Sequence, residues 1–465
     1  MPTLTAEIVS DLVPYLRSWV ERQRQVRREP GLQVAVRVRG ELVWSEAFGV
    51  ADVTTGEPLT TRHLFRIASH SKWFTATALM RLREQGRVRL DDEVGQLLPA
   101  YAETPLADVT VRELLAHLGG TIRDGVDTDW WQLGKDFPDA EQLRELVARH
   151  GRTFEVNEHF KYSNIGYGIL GRVVEQVTGR SYADALRALV IEPLGLADTA
   201  AELDEPRLGD YAAGHSRPLD ETGRRVTIDH VRTGALAAAT GFSSTAEDVT
   251  AFASAHVLGD DRLLTDRSKR AMQRPAAATG KVGHYGLGEI IARVGERTLV
   301  GHSGGYPGHI TRTYVDPQDG LAVSVLGNSL GSGSTPVAQG VVALIDLALR
   351  DRASWQRETD RERLESFVGR YEALWGTADV VRLRDRLVLL DPDAPDPVES
   401  HDELDVVDAD TLAVEPEDSY GGSGEPITVE RDETGAVRVL RVTGVSHWTE
   451  QEYARRTAEH VRLAR

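Results

Sequence analysis

The stretch Phe65-Arg66-Ile67-Ala68-Ser69-His70-Ser71-Lys72-Trp73-Phe74-Thr75-Ala76 joins a polar turn to a run of residues with helical spacing. Apolar residues recur from Phe74 to Leu82 at intervals of three to four, which is typical of a helix. The pattern predicts a helix that begins near Ser69 and carries Lys72 in its first turn. Side chains three residues apart lie on one face of a helix and can meet.

Ser69 and Lys72 therefore form a candidate nucleophile and base. A serine hydroxyl is a poor nucleophile until a base takes its proton, and a neutral amine can do this. The partial positive charge of a helix N-terminus favours an oxyanion nearby and lowers the pKa of a lysine placed there. A lone Ser-x-x-Lys occurs about once by chance in a chain of this length, so the alternative is a pair without catalytic role.

The lysine usage of the chain favours the catalytic interpretation. Lysine occurs only at positions 72, 135, 161, 269 and 281, against a large excess of arginine, and only Lys72 follows a serine by three residues. Arginine is always charged and cannot act as a base, whereas a desolvated lysine can. A sequence that otherwise prefers arginine keeps an amine at this position.

The composition narrows the classes of function. The chain has 465 residues, 41% of them hydrophobic and 27% charged, as in ordinary soluble globular proteins. Its net charge of −18 argues against nucleic acid or an anionic membrane as the main partner. The chain has no cysteine, which excludes disulfides, thiolate metal sites and cysteine nucleophiles. We expect no metal and no other cofactor.

Neither a secretory signal nor a membrane span is recognisable. The segment Met1–Glu7 lacks a basic start and an apolar core, and no apolar run reaches the ~18 residues that a span needs. A cytoplasmic location is therefore expected. A small molecule or peptide is the expected partner, and a homo-oligomer is compatible with the sequence.

The order of predicted elements indicates an α+β fold. A strand at Leu32–Val38 and a second from Leu42 form a hairpin ahead of Ser69, a helix-rich region follows, and strands return from Tyr285. From about Arg363 the chain consists of short strands separated by turns, which indicates an all-β barrel or sandwich. We predict a catalytic domain at 1–350, a linker at 351–363, and a lipocalin-like barrel domain at 364–465.

Two further segments are candidates for the same site. Tyr162-Ser163-Asn164 precedes a predicted helix: a tyrosine whose pKa is lowered by nearby cations is a competent acid or base, and an asparagine can hold both a lysine and a substrate carbonyl. The alternative is that Asn164 caps the helix and Tyr162 packs.

His302-Ser303-Gly304-Gly305 is predicted to lie between two strands, where glycines admit a close substrate and the Gly305 N–H can join that of Ser69 in an oxyanion hole. The alternative is an ordinary turn with a surface histidine.

In combination these motifs resemble the penicillin-recognising serine hydrolases, specifically the class C β-lactamase and DD-carboxypeptidase branch. The surrounding segments Phe65–Ser69, Leu114–His117, Thr240–Asp248 and Tyr285–Gly288 resemble that family too. The resemblance covers about residues 25–350 and implies a β-lactamase/transpeptidase-like catalytic domain, an antiparallel sheet flanked by helices. The tail resembles the small barrels appended to some of these hydrolases, through Phe367–Tyr371.

The resemblance also implies roles for the candidate residues. Ser69 would be the acylated nucleophile, Lys72 its base, and Tyr162 the acid/base that serves the leaving group and later the water. Asn164 would orient Lys72 and the substrate. The remaining candidates would supply an oxyanion N–H and line the substrate strand: His302, Ser303, Gly304 and Gly305.

Two departures from the family pattern bear on the substrate. The β-lactamases carry a lysine where His302 stands, and a largely neutral histidine holds a carboxylate less well. The segment Ala116–Thr121 also differs from the family's loop sequence. We therefore expect a serine hydrolase of esters, amides or D-residue peptides, an esterase, amidase or D-aminopeptidase with weak or no β-lactamase activity. The alternatives are a penicillin-binding-like sensor without turnover and a DD-carboxypeptidase.

Overall fold

The computed structural model describes residues 3–280, 283–350, 360–394, 396–399, 401–414 and 424–460. Its α-helices are, in chain order, α1 (Ala6–Val26), α2 (His70–Glu84), α3 (Val94–Leu97), α4 (Val111–Leu115), α5 (Ala140–His150), α6 (Asn164–Thr178), α7 (Tyr182–Leu186), α8 (Glu192–Leu194), α9 (Ala237–Thr240), α10 (Ala246–Ser254), α11 (Asp266–Gln273), α12 (Ser334–Leu349), α13 (Arg361–Glu365) and α14 (Glu450–His460). Its strands are β1 (Gly31–Val38), β2 (Glu41–Asp52), β3 (Glu57–Pro58), β4 (Phe65–Arg66), β5 (Gly214–His215), β6 (Thr227–Ile228), β7 (Ser243–Ser244), β8 (Ala277–Ala278), β9 (His284–Tyr285), β10 (Ile290–Val294), β11 (Arg297–Tyr306), β12 (His309–Val315), β13 (Leu321–Gly327), β14 (Gly369–Ala373), β15 (Gly376–Leu383), β16 (Arg386–Leu390), β17 (Asp402–Val406), β18 (Thr411–Val414), β19 (Pro426–Arg431), β20 (Val437–Val442) and β21 (Val445–Thr449).

The chain divides into two compact units whose limits differ from the predicted domain limits. One unit is Arg27–Ala338, and the other combines Met1–Val26 with Gln339–Arg465. Helix α1 belongs to the second unit because its charged side chains pair with residues far along the chain, Asp11 with Arg382 and Arg22 with Asp393. Such long-range pairs leave no local signal in the sequence. Most of the predicted linker, residues 351–359, lies outside the described residues.

The unit Arg27–Ala338 is built on a nine-stranded antiparallel sheet. Its strand order is β3-β2-β1-β13-β12-β11-β10-β9-β8, so that the N-terminal hairpin lies beside the last strand of the unit. The register pairs Val34 with Val325 in β1 and β13. Strands β1 and β13 are buried along nearly their whole length, which explains their near-continuous apolar sequence.

Helices α2 and α10 pack on this sheet, and α2 also contacts α6 and α9. Helix α2 is buried all round: twelve of its fifteen residues are buried, including Trp73 and Phe74. An apolar circumference is typical of a central helix enclosed by others. The ring of Phe74 stacks between those of Phe242 and Phe252 at centroid distances of 4.4 and 3.7 Å. The first turn of α2 is therefore held from several sides.

The second unit contains a closed barrel of eight antiparallel strands, β14 to β21 in sequence order. Alternate residues of its strands fill an apolar core that includes Leu387, Leu412 and Leu440. The segment quoted for the tail resemblance anchors the first strand, because Phe367 and Tyr371 are buried and the Tyr371 hydroxyl donates to the Phe367 carbonyl at 3.1 Å. The α+β class with a small C-terminal barrel is confirmed. Among the described residues no helix has the length and apolar character to cross a membrane.

Candidate active site

Ser69 is the N-cap residue of α2, at the end of a tightly held turn. Strand β4 pairs with β7 just before it, and Ala68 adopts a left-handed backbone with φ of 50°. That conformation is rare for a residue with a Cβ and marks a constrained turn. The Ser71 hydroxyl closes the turn by donating to the Ala68 carbonyl at 2.5 Å. As a result Ser69 stays partly exposed while the residues around it are buried.

The Lys72 amine lies beside Ser69, as the sequence predicted. Its Nζ is 3.2 Å from Ser69 Oγ, 2.6 Å from Asn164 Oδ1 and 2.9 Å from the Ala239 carbonyl. Burial lowers the pKa of Lys72 well below its usual value; the charge of Asp124 partly opposes this, and that of Arg123 adds to it. Burial is the first cause, whereas the sequence pointed to the helix terminus. An amine in this setting is suited to accept a proton.

Asn164 occupies the first turn of α6, and Ser163 is the N-cap residue there, accepting from the Gly166 N–H at 2.8 Å. The proposal that Asn164 caps this helix is therefore wrong. Its side chain turns to the site instead, with Oδ1 on Lys72 and Nδ2 donating to Asp124 Oδ1 at 2.6 Å.

The Tyr162 ring lies over the same amine, with Lys72 Nζ 4.7 Å from the ring centroid. Burial raises the pKa of Tyr162, and a hydrogen bond with Ser69 and the charge of Arg123 lower it by less. The condition that nearby cations lower the pKa of Tyr162 is therefore not met, because desolvation of the phenolate outweighs them. A protonated phenol at neutral pH is equipped to donate a proton.

His302 lies inside strand β11, so the prediction that His302–Gly305 lies between two strands is wrong, and so is the alternative of a turn with a surface histidine. The ring is buried; Nδ1 lies 2.6 Å from the Ser303 carbonyl and Nε2 lies 3.0 Å from the Tyr285 hydroxyl. Burial lowers the pKa of His302 well below its usual value, and the charge of Lys72 adds to the effect. His302 is thus a neutral group facing the site, as its residue type suggested.

The glycines of β11 set the distance between this strand and Ser69. Gly304 faces the turn before Ser69 so closely that a Cβ would lie 2.2 Å from the Ile67 carbonyl oxygen. Gly305 is exposed, and the nearest heavy atom to a Cβ there would be Ile310 Cδ1 at 3.6 Å. The first glycine is needed for close packing, while the second leaves open space for a substrate.

The edge of β11 is open next to this point. Strand β12 pairs with β11 from Val300 to Tyr306, whereas the described pairing with β10 reaches only Gly301. Hydrogen-bonding groups of alternate residues point to opposite edges of an antiparallel strand. Two-residue turns connect β11 to its neighbours at both ends and set the register of pairing. In this register the backbone N–H and C=O groups of Ser303 and Gly305 point to the open edge. A substrate carbonyl can bind there.

The structure thus brings together all eight candidates, through direct contacts for Ser69, Lys72, Asn164, Tyr162 and His302 and through strand β11 for the other three. Sequence reasoning missed Asp124 and the Ala239 carbonyl, which both reach the Lys72 environment from distant segments. A carbonyl has no sequence signature, and Asp124 lies in a segment without regular structure. The described residues contain no group of three or more His, Asp or Glu that could hold a metal ion.

This chain is similar to known proteins over most of its length. The family model described as Beta-lactamase matches residues 16–347. Penicillin-binding protein 4* of Bacillus subtilis (strain 168) is 30% identical over 300 residues, which are 60% of this chain and 64% of that protein. Esterase EstB of Burkholderia gladioli is 33% identical over 44% of this chain and 55% of its own length. The chain therefore spans less than two thirds of either relative.

A solved structure is also similar to this chain. The D-amino acid amidase from Ochrobactrum anthropi SV3, in complex with D-phenylalanine, superposes with a TM-score of 0.61 and 29% identity, covering 71% of this chain and 97% of that one. The likeness extends over nearly the whole amidase, and the family model covers the sheet, α2, α6 and β11 that carry the site. The chain belongs to the beta-lactamase family.

Proposed function

We propose that this protein is a serine hydrolase that acts through a covalent ester on Ser69. The observation that carries the proposal is the environment of Lys72: its amine is buried, 3.2 Å from Ser69 Oγ, and makes no ion pair with any carboxylate of the described chain. An uncompensated buried ammonium is costly, so the neutral amine is favoured. A neutral amine beside a partly exposed serine is a nucleophile with its base.

Acylation follows from these positions. Lys72 Nζ takes the Ser69 hydroxyl proton while Oγ attacks the substrate carbonyl carbon. The N–H groups of Ser69 and Gly305 bind the oxyanion. As the bond from carbon to the leaving oxygen or nitrogen breaks, the Tyr162 hydroxyl donates its proton to the leaving group and regains one from the Lys72 ammonium, which lies against its ring.

Deacylation uses the same groups in the reverse direction. Water attacks the Ser69 ester, and its proton passes to Tyr162 as Tyr162 passes its own to Lys72. Collapse of the second oxyanion breaks the bond from the carbonyl carbon to Ser69 Oγ, the Lys72 ammonium gives its proton to Oγ, and the acid is released. Both half-reactions need Lys72 to change between amine and ammonium, and its lowered pKa makes the amine form available at lower pH than in an exposed lysine.

The substrates we propose are small esters, amides or peptides with D-residues. The neutral His302 supports this, since a buried histidine without charge is a poor partner for the carboxylate of a β-lactam. The likeness to a protein named an esterase and to a D-amino acid amidase also supports it. Weak or no β-lactamase activity follows from the same side chain. Homo-oligomerisation and a cytoplasmic location stay predictions from the sequence.

The test is covalent labelling of wild type and Ser69→Ala with a fluorophosphonate probe and a fluorescent penicillin. A substrate panel of p-nitrophenyl esters, β-lactams, D-amino-acid amides and D-Ala-D-Ala peptides completes it. We expect adducts and ester or amide turnover that need Ser69. If no adduct and no turnover depends on Ser69, the proposal of a serine hydrolase is wrong. A stable penicillin adduct without turnover would instead identify a sensor, and turnover of D-Ala-D-Ala peptides alone a DD-carboxypeptidase.

Tyr162→Phe separates the acid from the nucleophile. The variant keeps the ring over Lys72 and loses only the hydroxyl, so we expect kcat to fall at least ~100-fold, the lower range for loss of a positioned acid/base. Thermal unfolding serves as the control for folding. Activity near that of wild type would mean that another group protonates the leaving group.

A further inference from the structure

Asp124 is a buried carboxylate at the edge of the site with no role in the steps above. It is 9% exposed and accepts hydrogen bonds from Asn164 Nδ2 at 2.6 Å and from Trp131 Nε1 at 3.1 Å. Its second oxygen pairs with Arg123 Nε at 3.0 Å. Asn164 in turn contacts Lys72, so that a chain of two hydrogen bonds joins Asp124 to the base.

These two hydrogen bonds fix which end of the Asn164 amide faces Lys72. The oxygen and nitrogen ends of an amide have nearly the same shape, so hydrogen-bond partners decide its orientation. A carboxylate only accepts, which forces Nδ2 toward Asp124 and Oδ1 toward Lys72. With the amide reversed, an oxygen would face the carboxylate and an NH₂ group would face the Lys72 amine.

We propose that Asp124 is a positioning residue of this active site: it holds Asn164 with the oxygen toward Lys72 and thereby aims the Lys72 amine at Ser69. The proposal rests on the serine hydrolase function proposed above. Asp124 does not touch the reacting atoms, and it acts through Asn164.

The partners of Asp124 show how its carboxylate is itself held. Trp131 donates from a short helical turn at Asp129–Gln132, and its ring packs edge-to-face on Phe137 with centroids 5.1 Å apart. The backbone carbonyl of Arg123 accepts from the Asn164 N–H at 2.8 Å. The segment around Asp124 is thus joined to the start of α6 by both backbone and side chain, which makes the carboxylate a fixed support.

Asp124 also sets the charge around the base. The titratable and charged groups that influence or face Lys72 are Asp124, Arg123, Tyr162, Tyr167, His117 and His302. Only Asp124 is an anion, and its charge raises the pKa of Lys72 against the effect of burial. Removal of this charge therefore extends the neutral form of Lys72 to lower pH.

The experiment compares Asp124→Asn and Asp124→Ala with wild type, using the p-nitrophenyl ester that wild type hydrolyses best. We expect kcat to fall about 10- to 100-fold, as for other small misplacements of reacting groups, with KM changed less than about threefold. We expect the acidic limb of kcat/KM in Asp124→Asn to move about one pH unit lower, since one opposite charge is removed.

Asp248→Asn is the matched control. Asp248 is a half-buried aspartate that likewise accepts two hydrogen bonds, from the Asp198 N–H and the Thr199 hydroxyl, but it lies outside the site. Its kcat and pH profile should equal those of wild type. Asp124 variants that match this control in both readouts overturn the positioning role. Ester turnover that persists in Ser69→Ala overturns the proposed function instead, so the two failures are distinguishable.

Trp131→Phe keeps the proposal testable should both Asp124 variants fail to fold. It removes one hydrogen bond to Asp124 and retains an aromatic ring. We expect the rate of fluorophosphonate labelling at Ser69 to fall by a factor of about 2 to 5. This is less than the effect expected for the Asp124 variants, because Asp124 keeps its other partners. An unchanged labelling rate in a folded Trp131→Phe, with the Asp124 variants unfolded, would assign Asp124 to folding and overturn the proposal.

Discussion

Two lysines in the described part of the unit Arg27–Ala338 are fully buried, and they differ in what surrounds the amine. Lys269, in α11, donates to the Val257 carbonyl at 2.6 Å, to the Asp260 carbonyl, and makes an ion pair with Asp266 at 2.9 Å. Lys72 contacts a hydroxyl, an amide oxygen and one carbonyl, and no described carboxylate pairs with it. The Asp266 carboxylate balances a positive charge on the Lys269 amine. A positive charge on the Lys72 amine has no described carboxylate in contact with it.

The comparison shows that burial alone does not make a lysine a base. Both side chains are equally removed from water, and both belong to helices. The difference is a carboxylate in direct contact, which stabilises the ammonium form. At Lys72 the nearest anion, Asp124, acts only through Asn164. The surroundings of Lys72 therefore favour a neutral amine that can take a proton from Ser69. The Lys269 amine instead holds the loop that contains Val257 and Asp260.

The largest expected difference between the two lysines is in catalysis. We expect Lys72→Ala to lower kcat at least ~100-fold, the lower range for loss of a positioned base. Lys269→Met should leave kcat within about twofold, because it lies outside the site. Steady-state ester hydrolysis at matched active-site concentration measures both. Equal losses in the two variants would break the distinction.

The second difference is in stability, with the order reversed. Lys269→Met removes the donor to the Asp260 carbonyl and one of the two donors to the Val257 carbonyl, which keeps the Asp260 N–H. We therefore expect the free energy of unfolding to fall by about 1–3 kcal/mol. Chemical denaturation followed by tryptophan fluorescence gives this value. A Lys269→Met protein as stable as wild type would mean that water replaces the amine without cost.

The third difference is the dependence of stability on pH. The folded state lowers the pKa of Lys72 below its unfolded value, so unfolding takes up a proton between the two pKa values, and stability rises with pH in that window. Lys72→Met removes this proton uptake. We expect the stability of Lys72→Met relative to that of wild type to decline from pH 7 toward pH 10, by about 1.4 kcal/mol for each pKa unit of the shift. The lost hydrogen bonds to Asn164 and to the Ala239 carbonyl add a cost that does not change with pH. A constant difference across pH 7–10 contradicts a lowered pKa.

The smallest expected effect comes from Asp266→Asn. This removes the carboxylate from Lys269, but the side chain of Asp266 is 35% exposed and its pair is weakened by solvent. We expect a loss of stability smaller than that of Lys269→Met, and declining as salt rises. Thermal unfolding at low and at 1 M salt tests it. A loss independent of salt would assign the effect to packing.

Local signals allowed much of the fold to be predicted. The sequence Thr110-x-x-Glu113 predicts a capping box, and both of its reciprocal hydrogen bonds are present, because capping depends on residues three apart. The glycine at position 179 predicts the end of helix α6, which does end there, with Gly179 in a left-handed conformation. The strands of the barrel follow from alternation and turn residues. The prediction that His302–Gly305 lies between two strands failed: glycines usually interrupt strands, but here they lie within a strand that packs closely against the turn before Ser69.

By itself, the sequence determined which chemical groups are available and which lie on one helical face. Ser69 and Lys72 meet because a helix places residues three apart side by side, and position 302 supplies an imidazole instead of an amine. Tertiary structure alone decided the proton affinities. Asn164 reaches Lys72 across 92 positions of the chain and Ala239 across 167, and burial by these segments, more than the helix terminus, lowers the pKa of Lys72. Desolvation depends on everything packed around a group, and no local stretch of sequence carries that information.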